Sequence, residues 1–557
     1  MRIRVSQGIH KKEIVIKSGE VLSEALVREG FHVDKVCGGM GRCGKCTVQV
    51  VSGRAEVTAG DAAVFSNEEL MAGMRLSCCL YPSEDLEVNV PQENPASVDI
   101  LTTYETQEYP VQKLREREYH TDSKEVETIS DSACKIAIDL GTTTIVMELL
   151  EGNGRRTGIT TALINSQGVF GADVISRIQA AASGKGRELQ ACVRRDIGKG
   201  IEALLQKAGV SYEQVVHIVI SGNTTMLHLL MGYNCEGLGV HPFTPVNIDW
   251  IEGTDEEILR RGPGRVKVTL LAGISTFVGG DIVSGLYACG FGEREEIDLL
   301  VDLGTNGELA LGNKEKLLVA STAAGPAFEG GNISCGMASV AGAICAVAVE
   351  DKSVHLQTIK DAPPIGICGT GVVEAVAELL KEGLMDETGA LAEEYFEKGF
   401  PLSECSGRGF PERSGRTIVF TQKDIREVQL AKAAILAGIE TLLLRYGISK
   451  EEVARVYIAG GFGYKLNLQK AMAIGMLPKE FAGRVEAVGN SSLAGAVKYL
   501  TERGGECEIN KLINISEEIR LAGDEAFQDY YINAMFFHDY SRESTKKDGK
   551  KVRNRLQ

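Results

Sequence analysis

Apolar and polar residues alternate over residues 3–5 and 13–16, and this period of two predicts a hairpin of two strands. Residues 20–29, EVLSEALVRE, have the spacing of a short helix. TVQVVSG at 47–53 and LEVNV at 86–90 have the composition of strands. The N-terminal part of the chain is therefore predicted to be a small unit that mixes strands with one helix.

Two later segments share one pattern, in which an apolar strand leads into Asp-Leu-Gly-Thr and a second apolar strand follows. The segments are KIAIDLGTTTIVMELL at 135–150 and LLVDLGTNGELALG at 299–312. Asp139 and Asp302 occupy the same place in the two copies. A repeat at this separation indicates a duplicated α/β fold rather than a solenoid of short repeats.

The Asp-x-Gly-Thr turn has the chemistry of a phosphate site. Glycine allows a tight turn that brings phosphate close to the backbone. Threonine hydroxyls and consecutive N–H groups can then hold phosphate oxygens. An aspartate at the end of the strand can hold Mg²⁺, usually through the waters of the ion. Two matching copies of the turn are stronger support for such a site than one.

Two further strands run into glycines. RVYIAGGFGYKLN at 455–467 places Gly460, Gly461 and Gly463 where a flat adenine and its ribose can lie against the backbone. GICGTGVVEAVAELL at 366–380 places two glycines before a helix whose N-terminus favours anions. The segments around SGNTT at 221–225 and GGD at 279–281 either line the same cleft or are core and turns. The alternative for the whole set is an α/β domain that binds no nucleotide.

Cys37, Cys43 and Cys46 form the pattern C-x5-C-x2-C, and Cys78 follows in RLSC with Cys79 beside it. Four thiolates are the ligand set of a [2Fe–2S] cluster, and the glycines between them let the loop curl around it. A structural zinc site is the alternative, although it usually pairs two short knuckles. The register of RLSC favours Cys78 over Cys79 as the fourth ligand.

The remaining cysteines and two histidines are predicted to be structural, because single cysteines in apolar surroundings are most often small core residues. These residues are Cys134, Cys192, Cys235, Cys289, Cys335, Cys345, Cys368, Cys405, Cys507, His228 and His241.

The 557 residues exceed one hydrophobic core and predict several domains. We expect a [2Fe–2S] ferredoxin-type domain at 1–91, a linker at 92–130, a first lobe at 131–298, a second, ATP-binding lobe at 299–525 and a C-terminal tail at 526–557. The net charge of −16 disfavours nucleic acid and anionic membrane as partners. We expect a cytoplasmic protein, since the sequence has neither a secretory signal nor an apolar run long enough to span a membrane.

The motifs DLGTTT, DLGTNG and GGFG, in this order, resemble the phosphate-1, phosphate-2 and adenosine motifs of the acetate kinase, sugar kinase, Hsc70 and actin superfamily. VCGGMGRCGKC with RLSC resembles the cluster signature of β-grasp ferredoxins. The resemblance implies a multidomain fold of mixed α/β and α+β class. A β-grasp [2Fe–2S] domain would precede a duplicated RNase-H-like, actin-like ATPase domain.

The pairing of these two modules, together with NSQGVFGADVISRI, SGNTTMLHLL and AGGFGYKLN, resembles the reductive activators of corrinoid proteins. The resemblance implies that ATP drives an electron from a [2Fe–2S] cluster to Co(II) of a corrinoid protein in a methyltransferase or O-demethylase system. It also implies a low-potential electron donor. The oligomeric state stays open, with a homodimer as one alternative.

The resemblance assigns a role to each motif. Cys37, Cys43, Cys46 and Cys78 would hold the cluster, and Asp139 and Asp302 would position Mg²⁺ or the attacking water. Separately from the resemblance, we expect the loop 331–336, which contains Ser334, to contact the partner. Phosphate would lie at Gly141, Thr142, Thr143, Gly304, Thr305 and Asn306, and adenosine at Gly460, Gly461 and Gly463.

Three other functions remain as alternatives. An activator of dehydratases shares the nucleotide fold but lacks a ferredoxin module. An electron carrier with an ATP-sensing docking domain would not turn ATP over. A kinase for a small molecule would leave the cluster without a purpose.

Overall fold

The computed structural model describes residues 1–7, 10–17, 19–31, 33, 41, 46–91, 133–171, 173–350, 353–404, 417–460 and 466–537. The predicted linker at 92–130 and residues 538–557 of the predicted tail lie outside the described residues. In the part of the chain that the structure describes, no helix is both long and apolar enough to cross a bilayer.

The N-terminal unit is a five-stranded sheet covered by a helix. Its elements are β1 (Arg2–Gln7), β2 (His10–Val15), α1 (Leu22–Arg28), β3 (Thr47–Ser52), α2 (Ala59–Val64), α3 (Asn67–Met71), β4 (Met74–Leu76) and β5 (Leu86–Asn89). The strand order is β2-β1-β5-β3-β4, with β1 antiparallel to β2 and parallel to β5. Ile3 and Val5 on β1 point into a core that also contains Leu22 and Leu26 of α1. The predicted hairpin, helix and strands are therefore confirmed.

The first lobe follows the linker and is built on a six-stranded sheet. Its elements are β6 (Cys134–Leu140), β7 (Thr144–Glu151), β8 (Arg156–Ile164), α4 (Val174–Ala180), α5 (Gly186–Ala208), β9 (Val215–Gly222), α6 (Thr224–Met231), α7 (Glu236–Gly239), β10 (Ile251–Thr254), α8 (Asp255–Leu259), β11 (Lys267–Leu270) and α9 (Gly280–Cys289). The strand order is β10-β11-β9-β6-β7-β8. One face of the sheet packs on α5 and α6, and the other takes part in the contact with the second lobe.

The second lobe repeats this plan and adds two small sheets. Its elements are β12 (Ile297–Leu303), β13 (Gly307–Gly312), β14 (Leu317–Thr322), β15 (Ala343–Glu350), β16 (Ser353–Thr358), β17 (Gly366–Ile367), α10 (Gly369–Lys381), α11 (Glu393–Phe396), β18 (Phe400–Glu404), β19 (Thr417–Phe420), α12 (Gln422–Tyr446), β20 (Val453–Ala459), α13 (Leu468–Ala473), β21 (Val485–Gly489), α14 (Ser491–Thr501), α15 (Gly505–Ile515), β22 (Ser516–Glu518) and α16 (Glu525–Ala534). The main sheet has the order β21-β20-β12-β13-β14-β22. Helix α10 begins at Gly369, so the two glycines predicted to precede it lie in its first turn.

The two main sheets share one topology. In each sheet, three antiparallel strands come first and two parallel strands follow on the far side of the first strand, giving β11-β9-β6-β7-β8 and β21-β20-β12-β13-β14. The two Asp-Leu-Gly-Thr segments form the hairpins β6–β7 and β12–β13 at matching positions. This order confirms the predicted duplication.

The lobes meet through α9 and α14, which pack against each other between the two sheets. This inter-lobe core takes Val219 from the first sheet and Leu300 from the second, both fully buried. The hydroxyl of Ser284 on α9 donates to the backbone oxygen of Ser492 on α14 over 2.8 Å. The carboxyl ends of β6 and β12 therefore come close to the same inter-lobe contact.

Helix α16 begins one residue before the range predicted as tail, covers its first part, and packs along α12, which begins with a Thr421–Asp424 capping box. Lys432 of α12 is fully buried, and its Nζ donates to the backbone oxygens of Ala534 and Phe536, over 2.6 Å in each case. Burial lowers the pKa of Lys432 to about 7. The amine thus supplies donors to the carbonyl groups at the end of α16.

Most single cysteines in the described range are buried, which agrees with the structural interpretation. Cys335 and Cys345 are half-buried, and Cys507 lies exposed on α15, whose buried face carries Ile509 and Leu512. Cys405 lies outside the described residues. His228 is buried, and its ring nitrogens bond to the backbone of Thr224 and Val246.

Replacing Lys432 with methionine should lower the free energy of unfolding by about 1–3 kcal/mol, because the carbonyl groups of Ala534 and Phe536 lose their donor. Urea unfolding followed by circular dichroism measures the change. Lys423→Met, on the exposed side of the same helix, is the control and should change it by less than about 0.5 kcal/mol. Equal losses in the two variants would contradict this role of Lys432.

Candidate functional site: an acidic inter-lobe cleft and a thiol cluster

The end of β6 is tied to the second lobe by hydrogen bonds to Asp139. Asn490 and Ser492, at the start of α14, each donate to one carboxylate oxygen of Asp139 over 2.7 Å. Burial raises the pKa of Asp139, and these two hydrogen bonds partly offset the rise. A predicted phosphate-site aspartate of one lobe is therefore held by the other lobe.

Three carboxyl groups from both lobes are close enough to influence one another. Burial, and then the charges of Asp281 and Asp139, raise the pKa of Asp302 to about 7. Burial, and to a lesser degree the charge of Asp139, raise the pKa of Asp281 at the start of α9 to about 7. Both predicted aspartates thus lie at one site, together with a third carboxyl from the GGD segment.

Glu308 of β13 extends this acidic group. Burial, and then the charges of Asp281 and Asp302, raise its pKa well above the ordinary value. In the described range, no group of three His, Cys, Asp or Glu side chains is arranged to hold a bare metal ion. Any Mg²⁺ here would therefore take most of its ligands from phosphate and water, which is the usual habit of this ion.

The first phosphate turn, residues 141–143, links β6 to β7. The backbone N–H of Gly141 donates to the oxygen of Thr144 over 2.9 Å, and a Cβ at Gly141 would lie 2.7 Å from that oxygen. The hydroxyl of Thr142 accepts from Asn223 over 3.1 Å. Among the described residues, none accepts a hydrogen bond from the backbone N–H of Thr142 or Thr143. These two donors are available to an anion.

The second phosphate turn, residues 304–306, links β12 to β13 at the equivalent place in the other lobe, but its closing hydrogen bond spans one residue fewer. The backbone N–H of Gly304 donates to the oxygen of Asn306 over 3.0 Å. The hydroxyl of Thr305 lies 3.2 Å from both carboxylate oxygens of Glu329, and the Asn306 side chain bonds to Glu308. Two side chains predicted to hold phosphate are thus already engaged by carboxylates.

Gly460 directly follows β20 and lies beside Asp302. Its φ of +93° is in the left-handed region, and a Cβ would lie 2.4 Å from the oxygen of Leu303. Only glycine fits this position without a shift of the backbone. Gly461 and Gly463 lie outside the described residues.

Sequence reasoning missed Asn490, Ser492, Glu308 and Arg177, and left Asp281 undecided. A signal for the first two was present, because Gly489-Asn490-Ser491-Ser492 repeats the strand–Gly-Asn–hydroxyl pattern of residues 222–225. In both copies the asparagine caps the following helix. For Asp281, the sequence predicts a carboxyl group at the start of a helix. It does not predict that this group lies near the ends of β6 and β12.

Two of the four predicted cluster ligands, Cys37 and Cys43, lie outside the described residues. Cys46 and Cys78 are buried and close together. A hydrogen bond with Cys46, and then burial, raise the pKa of the Cys78 thiol, while the backbone N–H of Gly41 acts in the opposite direction. Two thiolates within hydrogen-bond distance repel each other, so a cation bound between them favours the ionised form of both.

Models of three protein families match consecutive parts of the chain and together cover most of it. Residues 7–83 match the 2Fe-2S iron-sulfur cluster binding domain, residues 134–294 match the RACo middle region, and residues 296–547 match the C-terminal domain of RACo, the ASKHA domain. The corrinoid activation enzyme RamQ of Eubacterium limosum is 31% identical over 96% of this chain and 99% of its own length. This chain belongs to the RACo family of corrinoid activators.

Two more relatives are consistent with membership of the RACo family. The [Co(II) methylated amine-specific corrinoid protein] reductase of Methanosarcina barkeri is 31% identical over 46% of this chain and 48% of that protein. A solved structure of a reductive activator for corrinoid, iron-sulfur protein is 30% identical, has a TM-score of 0.67, and is matched over 96% of this chain and 98% of that one. The fold class and the family resemblance predicted from the motifs are confirmed.

The described residues of this RACo-type chain fit a [2Fe–2S] cluster. Gly41 provides a close cradle, because a Cβ there would lie 2.6 Å from the Cys79 sulfur. The backbone N–H of Gly41 bonds to the Cys78 sulfur, as expected for a donor that tunes a cluster ligand. The contact between Cys46 and Cys78 supports Cys78 as the fourth ligand, with Cys79 beside it at a sulfur–sulfur distance of 3.7 Å.

Cys78→Ala should abolish cluster assembly, because a ligand position beside Cys46 is lost, whereas Cys79→Ala should retain it. Iron and acid-labile sulfide per chain, with the visible absorption spectrum, measure assembly in the two matched variants. The opposite pattern, with cluster lost only in Cys79→Ala, would assign the fourth position to Cys79.

Proposed function

We propose that this protein uses ATP to transfer one electron from its [2Fe–2S] cluster to Co(II) of a corrinoid protein, which regenerates Co(I). One electron leaves the reduced cluster and reduces cobalt by one unit, and a low-potential donor then replaces it. ATP is hydrolysed to ADP and phosphate in the inter-lobe cleft. The named relatives are a corrinoid activation enzyme, a corrinoid protein reductase and a reductive activator, and this proposal extends their chemistry to this chain.

One observation carries the proposal, namely the meeting of Asp139 and Asp302 at one inter-lobe site. The two residues lie next to the last position of equivalent strands, and each directly precedes Leu-Gly-Thr. The charge of Asp139 contributes to the raised pKa of Asp302. A nucleotide between two such turns contacts both lobes at once. Its hydrolysis can therefore change how the lobes sit on each other.

Each carboxyl group has a distinct proposed role. Asp139 is held by Asn490 and Ser492 and would orient the waters of Mg²⁺. Asp302 would position Mg²⁺ or the attacking water. Asp281, at the start of α9, lies close enough to Asp139 for the charge of Asp139 to raise its pKa, and would help to orient water between the two lobes.

The requirement for ATP follows from the redox potentials. A plant-type [2Fe–2S] cluster has a potential of about −400 mV, and the Co(II)/Co(I) couple is lower. For one electron, each deficit of about 59 mV lowers the equilibrium constant tenfold. Nucleotide turnover offsets this deficit if it separates the partners after transfer, or if the complex alters the ligands of cobalt.

The corrinoid partner has a candidate contact in the loop 331–336. Ser334 is exposed, and its backbone N–H and hydroxyl both donate to Asp424 at the start of α12, over 2.6 Å and 2.9 Å. The loop is thus fixed by a helix cap while remaining accessible. This geometry supports the proposal that Ser334 contacts the partner.

The direct test mixes the purified protein with a Co(II) corrinoid protein, a low-potential reductant and ATP, and follows the Co(I) absorption band. We expect the band to appear only with ATP and with the cluster-containing protein. AMPPNP in place of ATP tests the need for hydrolysis. Co(I) formation at the same rate without nucleotide would contradict the proposal, and would favour a simple electron carrier.

Asp302→Asn should abolish ATP hydrolysis, because it removes a charge that positions Mg²⁺ or water, while the visible spectrum of the cluster stays unchanged. Phosphate release and absorption spectra measure the two effects. Asp298→Asn, on the same strand but hydrogen-bonded to Arg294 over 3.1 Å, is the matched control and should retain hydrolysis. Wild-type hydrolysis in Asp302→Asn would remove Asp302 from the site.

A further inference from the structure

The ferredoxin unit packs on the first lobe through a small apolar contact. Val169 and Cys192 of the lobe are both buried in the hydrophobic core of the N-terminal unit, and Phe170 packs against it. Lys185 forms an ion pair with Glu24 of α1 over 3.0 Å. An exposed ion pair contributes little to the free energy of a contact, so the apolar residues provide most of the docking energy. The Glu24–Lys185 pair forms only in the docked position and so identifies it.

The docking residues Val169 and Phe170 belong to a turn, residues 165–171, that is bonded to the first phosphate turn. The backbone N–H of Asn165 donates to the oxygen of Thr143 over 2.9 Å. Its side-chain amide donates to the oxygen of Gly141, also over 2.9 Å. We call residues 165–171 the bridging turn, because one side contacts the ferredoxin unit and the other contacts the phosphate turn.

Arg177 holds the bridging turn and the phosphate turn together. Its guanidinium donates to the backbone oxygen of Thr142 over 2.6 Å and to that of Gly171 over 2.9 Å. The side chain is 1% exposed, and no carboxylate among the described residues forms an ion pair with it. The carboxylate that acts on its charge is that of Asp173, and the guanidinium itself lies behind the turn that is predicted to hold phosphate.

On the ferredoxin side, the contact continues to the cluster ligands. The backbone N–H of Leu22 donates to the oxygen of Leu80 over 2.9 Å, and that of Ser23 donates to the oxygen of Ser77 over 3.0 Å. These bonds tie the start of α1 to the segment that contains Cys78. An unbroken series of contacts thus runs from the first phosphate turn to a proposed cluster ligand.

We infer that Arg177 couples nucleotide binding at the first phosphate turn to docking of the ferredoxin unit, and that bound nucleotide stabilises the docked position. The inference rests on the proposed function, because it requires nucleotide in the cleft. Phosphate that accepts from the free N–H groups of Thr142 and Thr143 fixes the peptide planes of the turn. The Thr142 carbonyl, on the opposite side, then holds Arg177 and the bridging turn in place. By linkage, docking strengthens nucleotide binding by the same factor.

Zero-length carbodiimide crosslinking of the full-length, cluster-containing protein tests the coupling. The reagent joins Glu24 to Lys185 only when the ferredoxin unit is docked, and mass spectrometry quantifies the joined peptides. Lys12 and Glu29, 2.8 Å apart within the ferredoxin unit, are the internal reference. We expect saturating Mg-AMPPNP to raise the initial rate of Glu24–Lys185 crosslinking, relative to this reference, by at least about twofold. Coupling between sites usually begins at about fivefold.

Arg177→Lys keeps the charge but cannot present a planar fork to two carbonyl groups. We expect this variant to bind AMPPNP, seen by calorimetry, while the crosslinking rate no longer responds to it. Arg265→Lys, at an exposed arginine of the same lobe that donates to the backbone oxygen of Glu213, is the matched control and should respond as the wild type does.

If Arg177→Lys fails to fold, the wild-type measurement still decides whether bound nucleotide stabilises the docked position. An unchanged or reduced crosslinking rate in wild-type protein that binds AMPPNP overturns the coupling and leaves the proposed function intact. A wild-type response in folded Arg177→Lys overturns the role of Arg177. Absence of AMPPNP binding to the wild type would instead refute the proposed function.

Discussion

Carboxyl groups from both lobes lie together in the half-buried inter-lobe cleft. The arrangement of the two lobes depends on how burial and repulsion among these groups are offset. Beyond the effect of burial, the charge of Asp139 raises the pKa of Asp281 and of Asp302, and the charges of Asp281 and Asp302 raise that of Glu308. Hydrogen bonds from Asn490 and Ser492 stabilise one member directly. A divalent cation held by the phosphates of a bound nucleotide would place positive charge beside these carboxyl groups.

The duplicated topology explains why this place lies between the lobes. Each sheet ends its first strand in aspartate and a glycine turn, and the buried helices α9 and α14 bring the two strand ends to one cleft. Both helices also supply polar groups, since α9 begins beside Asp281 and α14 begins with the partners of Asp139. A rotation of one lobe would thus change the helix contact and the acidic site together.

The ferredoxin unit packs on the same lobe that carries the first predicted phosphate turn. Its docking surface is small and centred on Val169, Phe170 and Cys192, so it is suited to repeated release and return. Arg177 and the bridging turn lie between this surface and the cleft. The ferredoxin unit and the predicted phosphate turn are therefore adjacent in the structure, although the thiol pattern and the Asp-Leu-Gly-Thr motifs are far apart in the sequence.

The sequence by itself determined the local elements of this protein and their chemistry. The hairpins, the duplicated Asp-Leu-Gly-Thr turns, the thiol pattern and the glycine at position 460 follow from short-range periodicity and backbone sterics. Only the tertiary structure decided which distant groups meet. Asn490 reaches Asp139 across 351 residues, Asp281 turns toward Asp302, and Arg177 spans two turns. Such contacts arise from the packing of whole lobes, for which a single sequence carries no local periodic signal.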